Sequence, residues 1–139
     1  MRLTLFATKH PIHPALRASE LAAAVPTAEL ETLERLSTTI QVLAGEEIMR
    51  ADDIGRECFV VIDGQFEVQR DDTTIIVGPG SVIGELALLT GKRRTASVTA
   101  ITDSSVYVMT PAEFGAMLDA CPNIARYVLG GAVRRAAVA

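Results

Sequence analysis

The residues best able to do chemistry lie in one stretch, "GELALLTGKRRTASVTA", from Gly84 to Ala100. A lone carboxylate, Glu85, opens a short apolar run, and the consecutive cations Lys92, Arg93 and Arg94 follow it. If "ELALL" is one helical turn leaving a strand, its first backbone N–H groups lack intrahelical partners and carry the positive end of the helix dipole. That suits an anion. An arginine a few residues on, at the start of the next strand, closes such a site as a bidentate phosphate partner. Gly84 permits close backbone approach. Glu85 is badly chosen to face a phosphate, so it must accept from something else, and a sugar hydroxyl is a donor. The pattern calls for a ligand with one phosphate and a nearby free hydroxyl.

The elements around this stretch must hold it in place. From Leu21 to Ile40 the pattern reads as one short amphipathic helix, with Pro26 and Thr27 as a start signal and Leu30, Leu33 and Leu36 at threefold spacing. After Gly45 the period changes to that of strands in "EEIMR", "ECFVVID", "QFEVQR" and "TTIIV". Turn signals separate them at Asp52-Asp53, Asp63-Gly64, Asp71-Asp72 and Gly78-Pro79-Gly80. Strands resume in "RTASVTA" and "SVYVM". Short strands at this spacing predict a closed antiparallel barrel or sandwich. The face formed by Ala96, Val98 and Ala100 is narrow, as if something other than side chains fills the space. Thr110, Pro111 and Glu113 predict a capped helix that buries Phe114, Met117 and Leu118 and stops before Pro122. A last helix is expected from about Asn123, with Ile124, Tyr127 and Val128 inward and a weak point at Gly130-Gly131.

Composition bounds the rest. A chain of 139 residues makes one domain, and no apolar run approaches the roughly 20 residues needed to cross a bilayer. A soluble protein is expected. The N-terminus "MRLTLFATKHPIHP" has no adequate apolar core and does not read as a signal peptide. Cys58 and Cys121 stand 63 positions apart with no C-x-x-C spacing, which predicts small buried residues in a reducing, cytoplasmic compartment rather than a disulfide or zinc site. The net charge of -4 argues against nucleic acid and anionic membrane as partners. Residues 41–80 hold three cations against nine acids, whereas residues 81–102 hold Lys92, Arg93 and Arg94 against Glu85 alone.

Isolated features have plainer readings. A cluster such as Lys92-Arg93-Arg94 is ordinarily a solvated loop, and Glu85 could serve only the helix dipole. The context of "GELALL" before the cluster and "RTASV" at its end favours ligand contact for both Glu85 and Arg94. His10 and His13 could share a metal on a helix, but Pro11 and Pro14 argue for a loosely packed arm over residues 1–20, and no metal or cofactor is expected. Arg134 and Arg135 read as a solvated helix end, with contact to a ligand's base as the minority reading.

"GELALLTGKRRTASV" resembles the phosphate-binding cassette of cyclic nucleotide-binding domains, whose pattern is roughly Gly-Glu-Leu-Ala-Leu, a few variable residues, then Arg, a small residue, Ala, any residue and Val. The resemblance runs from about Leu21 to Val133 and takes in "GEEIMRADDIG" and the glycines Gly45, Gly55, Gly64 and Gly84. It implies a mainly β fold with flanking helices. The core is an eight-stranded antiparallel β-roll, jelly-roll-like, with an N-terminal helix, a cassette helix between the sixth and seventh strands and a C-terminal helical pair, all within residues 21–139.

It also implies roles. Glu85 would accept the ribose 2'-hydroxyl, and Arg94 would pair with the cyclic phosphate. Backbone N–H groups of Ala87, Leu88, Thr95 and Ala96 would help hold that phosphate. Small side chains at Ala87 and Ala96 would leave room, Val82, Ile83 and Val98 would contact sugar and base, and Gly84 and Leu86 complete the set, with Arg93 toward solvent. Regulatory members continue into a longer helix that caps the base, and many bacterial ones into a helix-turn-helix. This sequence ends on "GGAVRRAAVA", so a missing lid or a piece of a longer chain is expected.

The function expected is a regulatory module that binds cyclic AMP, with cyclic GMP as the alternative, and repositions its terminal helices. Those helices would be its route to a homodimer or a larger regulated protein. No Ser/His/Asp set or Cys/His pair is present for catalysis. A cupin-type barrel enzyme would need histidines inside the barrel, where this sequence has none. A fold that lost its ligand and serves protein interaction is the remaining alternative.

Overall fold

Two four-stranded antiparallel sheets form the centre of the molecule in a computed structural model that describes residues 11–138, with side chains through residue 131. The strands are β1 (Thr38–Val42), β2 (Glu47–Met49), β3 (Cys58–Asp63), β4 (Phe66–Arg70), β5 (Thr73–Val77), β6 (Val82–Ile83), β7 (Ser97–Ala100) and β8 (Ser104–Met109). One sheet has the order β1-β8-β3-β6, the other β2-β7-β4-β5. The molecule is therefore the mainly β roll with flanking helices that the sequence predicts.

Side-chain alternation explains the layers. In β3 and β8 most residues are apolar and all but Asp63 are buried, so both faces of the sheet are covered along these two strands. Phe59, Val61, Val106 and Val108 point inward against the other sheet, while Cys58, Val60, Ile62, Tyr107 and Met109 point outward under the helices. In β7 and β4 the pattern is strictly alternating, with Val98, Ala100, Phe66 and Val68 inward and hydrophilic residues outside.

The helices are α1 (Pro14–Arg17), α2 (Glu20–Ala24), α3 (Thr27–Leu36), α4 (Glu85–Thr90), α5 (Pro111–Ala120) and α6 (Pro122–Val138). Leu30, Leu33, Phe114, Met117, Ile124 and Val128 are buried against the outer face of the first sheet, each worth about 1.5–3 kcal/mol. The capping box of α5 is present. Thr110 N donates to Glu113 Oε1 at 2.9 Å, and Glu113 N donates to Thr110 Oγ1 at 3.2 Å. At the start of α6 the Glu29 carboxylate, reaching from α3, accepts from Asn123 N at 3.0 Å, Ile124 N at 2.9 Å and Asn123 Nδ2 at 2.7 Å.

Two expectations are corrected. The single helix over Leu21–Ile40 is two helices followed by a strand: Pro26 separates α2 from α3, and Ile40 pairs with Val106 in β1. The β-branched run Thr38, Thr39, Ile40 favours the sheet once β8 is there to pair with it. Residues 11–20 are not a loose arm, because Ile12 and Leu16 are buried in the helical core cluster. Pro14 does not block a helix there but occupies its first turn, where no N–H is needed, and His13 Nδ1 accepts from Ala15 N at 3.0 Å. His10 lies outside the described residues. The expected last helix is α6, and it runs through Gly130-Gly131, two unfavourable residues being too small a cost to stop a docked helix.

Candidate functional site

The chain leaves β6 at Ile83, turns at Gly84 and enters α4 at Glu85. Gly84 has φ +88, and a Cβ there would run into the Arg94 guanidinium and the Glu57 carbonyl. The glycine is thus required twice, by its left-handed backbone and by the arginine lying over it. Gly55 is needed for the same reason on the other side. A Cβ on it would lie 2.6 Å from Ala87 Cβ and 2.9 Å from Arg94 Nε.

Arg94 is only 7% exposed. Its Nη1 donates to the Gly84 carbonyl at 3.0 Å and its Nη2 to the Glu57 carbonyl at 2.7 Å, while its backbone exchanges hydrogen bonds with Asp52 and Asp53 at 2.9 and 2.8 Å. Burial pushes its pKa down, and the negative potentials of Cys58, Glu57 and Glu85 oppose that. Arginine still keeps its proton. A buried cation held by neutral carbonyls is costly, and an anion beside it offsets that cost. Glu85 is 3% exposed, and its Oε1 accepts from Leu86 N at 3.3 Å. Arg93 points to solvent, with Nη1 donating to the Asp52 carbonyl at 3.0 Å.

These two buried charges border one cavity of about 460 Å³, a volume in the range of small-molecule sites. Gly84, Glu85, Leu86 and Ala87 approach it from the start of α4, Val82 and Ile83 from β6, and Arg94, Thr95, Ala96 and Val98 from β7 and the segment before it. Leu88 does not border it; its side chain packs against the helical core cluster. The opposite wall comes from residues the spacing of motifs did not reveal: Met49, Val68, Arg70 and Asp71, then Thr73, Ile75 and Val77. Their signal was the hairpin register. Val68 pairs with Ile75 and Arg70 with Thr73, so these residues share the inner face that Phe66 begins.

A β-roll thus carries one buried cation and one buried carboxylate on the wall of a single cavity, beside a left-handed turn at the start of a short helix. Among the described residues, no group of three or more His, Cys, Asp or Glu could hold a metal ion, and no helix is long and apolar enough to cross a membrane.

The sequence pattern of the cyclic nucleotide-binding domain matches residues 39–121. A cyclic nucleotide-gated potassium channel of Rhizobium etli is 31% identical over 123 residues, which is 84% of this chain and 34% of the channel. A cGMP-dependent protein kinase of Caenorhabditis briggsae is 29% identical over 78% of this chain and 15% of the kinase. The crystal structure of the Thermus thermophilus catabolite activator protein superposes with a TM-score of 0.73 at 22% identity, over 84% of this chain and 58% of that one. The chain belongs to the cyclic nucleotide-binding domain family, whose members are regulatory modules. It spans about a third of the length of the channel relative.

Proposed function

We propose that this domain is a signal-transduction module whose ligand is cyclic AMP, held by the cassette from Gly84 to Ala96. The observation that carries the reading is the pairing of a buried cation and a buried carboxylate, Arg94 and Glu85, on one cavity of ligand size. Arg94 takes the cyclic phosphate with the N–H groups of Ala87, Leu88, Thr95 and Ala96, and Glu85 takes the 2'-hydroxyl. Val82, Ile83 and Val98 line the way to the base. Cyclic GMP is the second reading, and Thr95 favours it, because this residue borders the cavity and a hydroxyl there can meet a guanine 2-amino group. The response passes through α4, which touches α6. A shift of the cassette on binding therefore repositions the terminal helix, and through it a partner domain or a second copy. Cys58 and Cys121 are buried and not joined in a disulfide, which fits a cytoplasmic setting.

Calorimetric titration with cyclic AMP tests the assignment. Arg94→Ala should cost about 2–5 kcal/mol of binding, because the ligand's phosphate is left without its partner. Wild-type affinity in that variant overturns the site. Glu85→Gln should weaken cyclic AMP but not its 2'-deoxy analogue, and additive losses from the two changes would separate Glu85 from the hydroxyl.

A further inference from the structure

Phosphate and ribose account for one end of the cavity, and the other end is polar as well. There the β4–β5 hairpin brings Arg70, Asp71 and Thr73 to the wall. Phe66, Val68 and Arg70 alternate onto the inner face of β4. Phe66 is fully buried, Val68 packs against the inner core cluster, and Arg70 continues the row to the half-buried rim. Strict alternation would turn Asp71 away. Its left-handed backbone, φ +52, breaks the alternation, and Asp71 borders the same cavity as Arg70.

Between the hairpin tip and the cassette stands Ile75, 53% exposed although it lines the cavity, an apolar surface open to a flat ring. The tip therefore offers a donor beside an acceptor, with an apolar wall below them. Among the described residues, no hydrogen bond or ion pair engages the side chain of Arg70 or Asp71.

We propose that this hairpin reads the base, with Arg70 donating to the purine N7 and Asp71 accepting from the exocyclic 6-amino group, so that adenine is preferred to guanine. This rests on the cyclic nucleotide reading above and adds to it the group that discriminates. The edge of adenine presents an acceptor, N7, next to a donor, the 6-amino group, whereas guanine presents two acceptors, N7 and O6. Arg70 donates to N7 of either purine, and it is Asp71 at the 6-position that keeps the arginine's second N–H from settling on the guanine O6. Asp71 serves only adenine and repels the guanine O6. A pyrimidine ring is too short to reach both groups.

The test is competition titration of cyclic AMP, cyclic GMP and cyclic UMP against the whole chain and two variants. Wild type should prefer cyclic AMP by about tenfold, one such contact at a rim being worth the low end of the range for base discrimination. Asp71→Asn keeps the left-handed turn, which asparagine tolerates, and its amide can rotate to donate to O6. It should bring the preference below about threefold. Arg70→Ala should weaken both purine ligands several-fold and leave cyclic UMP unchanged.

An unmoved ratio in Asp71→Asn overturns the proposal. So does an equal loss for cyclic UMP in Arg70→Ala, which would make Arg70 a general attractor of phosphate. Wild-type binding that Arg94→Ala abolishes, with an unmoved ratio in Asp71→Asn, sinks the hairpin reading alone. Absence of wild-type binding to any of the three ligands sinks the ligand assignment and the hairpin reading together.

Discussion

The sheets β1-β8-β3-β6 and β2-β7-β4-β5 have equal numbers of strands and unequal duties. Along β3 and β8 the first is covered on both faces, by helices outside and by its partner sheet inside, and all six residues of β8 are buried. The second is covered on one face only, and part of that face is surrendered to the cavity. β7 and the residue before it bring the small side chains of Ala100 and Ala96 to the inner cluster, to which the first sheet contributes the larger Phe59 and Val108. A close-packed sheet can hold other elements in place, and a sheet with room beside it can accept a ligand, but no single region does both. The exposed Ile75 and Ile76 on the edge strand β5 belong to the second sheet, as does Arg70, and Asp71 sits in the turn that joins β4 to β5.

Truncation on each sheet is the sharpest way to break this contrast. Met109→Ala, deep between the first sheet and the helices, should cost about 2–5 kcal/mol of stability in urea unfolding, because the space left cannot fill with solvent. Val68→Ala, at the cavity wall, should cost about 1 kcal/mol or less, because the new space opens into one already present. Equal losses would mean that the second sheet is as tightly packed as the first.

The next effect is one of pH. Burial, with the Glu34 carboxylate adding to it, pushes the Tyr107 hydroxyl up to about 12 from its ordinary value of 10.0. Above its ordinary pKa the unfolded chain loses this proton while the folded chain retains it. The contribution is therefore fully present below pH 10 and is lost as pH rises toward about 12. The loss should amount to roughly 1–3 kcal/mol. Subtracting the stability profile of Tyr107→Phe from that of the wild type isolates it, and a flat difference would show that the outer face of the first sheet is wetter than its burial implies.

A smaller effect is expected at the Glu29 latch, which joins α3 to α6 on the helical side. Glu29→Ala should cost about 1–2 kcal/mol by leaving the first N–H groups of α6 without an acceptor. Amide exchange should quicken in residues 122–131, while affinity for the ligand changes little. A large loss of affinity would mean that the position of α6 shapes the cavity through its contact with α4.

What the sequence by itself determined is the cassette. Gly84, Glu85 and Arg94 are joined by a short helix and one turn, so spacing alone constrains them, and the structure brings them to one cavity. The capping box of α5 and the six strands marked by alternation and turn residues were legible for the same reason, since each is set by neighbours within a few positions. Other features needed the tertiary structure. Ile40 belongs to β1 because β8, more than sixty residues away, pairs with it, and no periodicity in residues 38–42 records that. Ile12 and Leu16 belong to the core because a sheet and the later helices leave an apolar face for them to cover. Arg70 and Asp71 border the same cavity as the cassette because β4 pairs with β7 on one side and β5 on the other. Local spacing places groups that lie within a turn or two of each other, whereas the opposite wall of a cavity is set by strand pairing across the whole chain, where hydrogen-bond register and burial decide together.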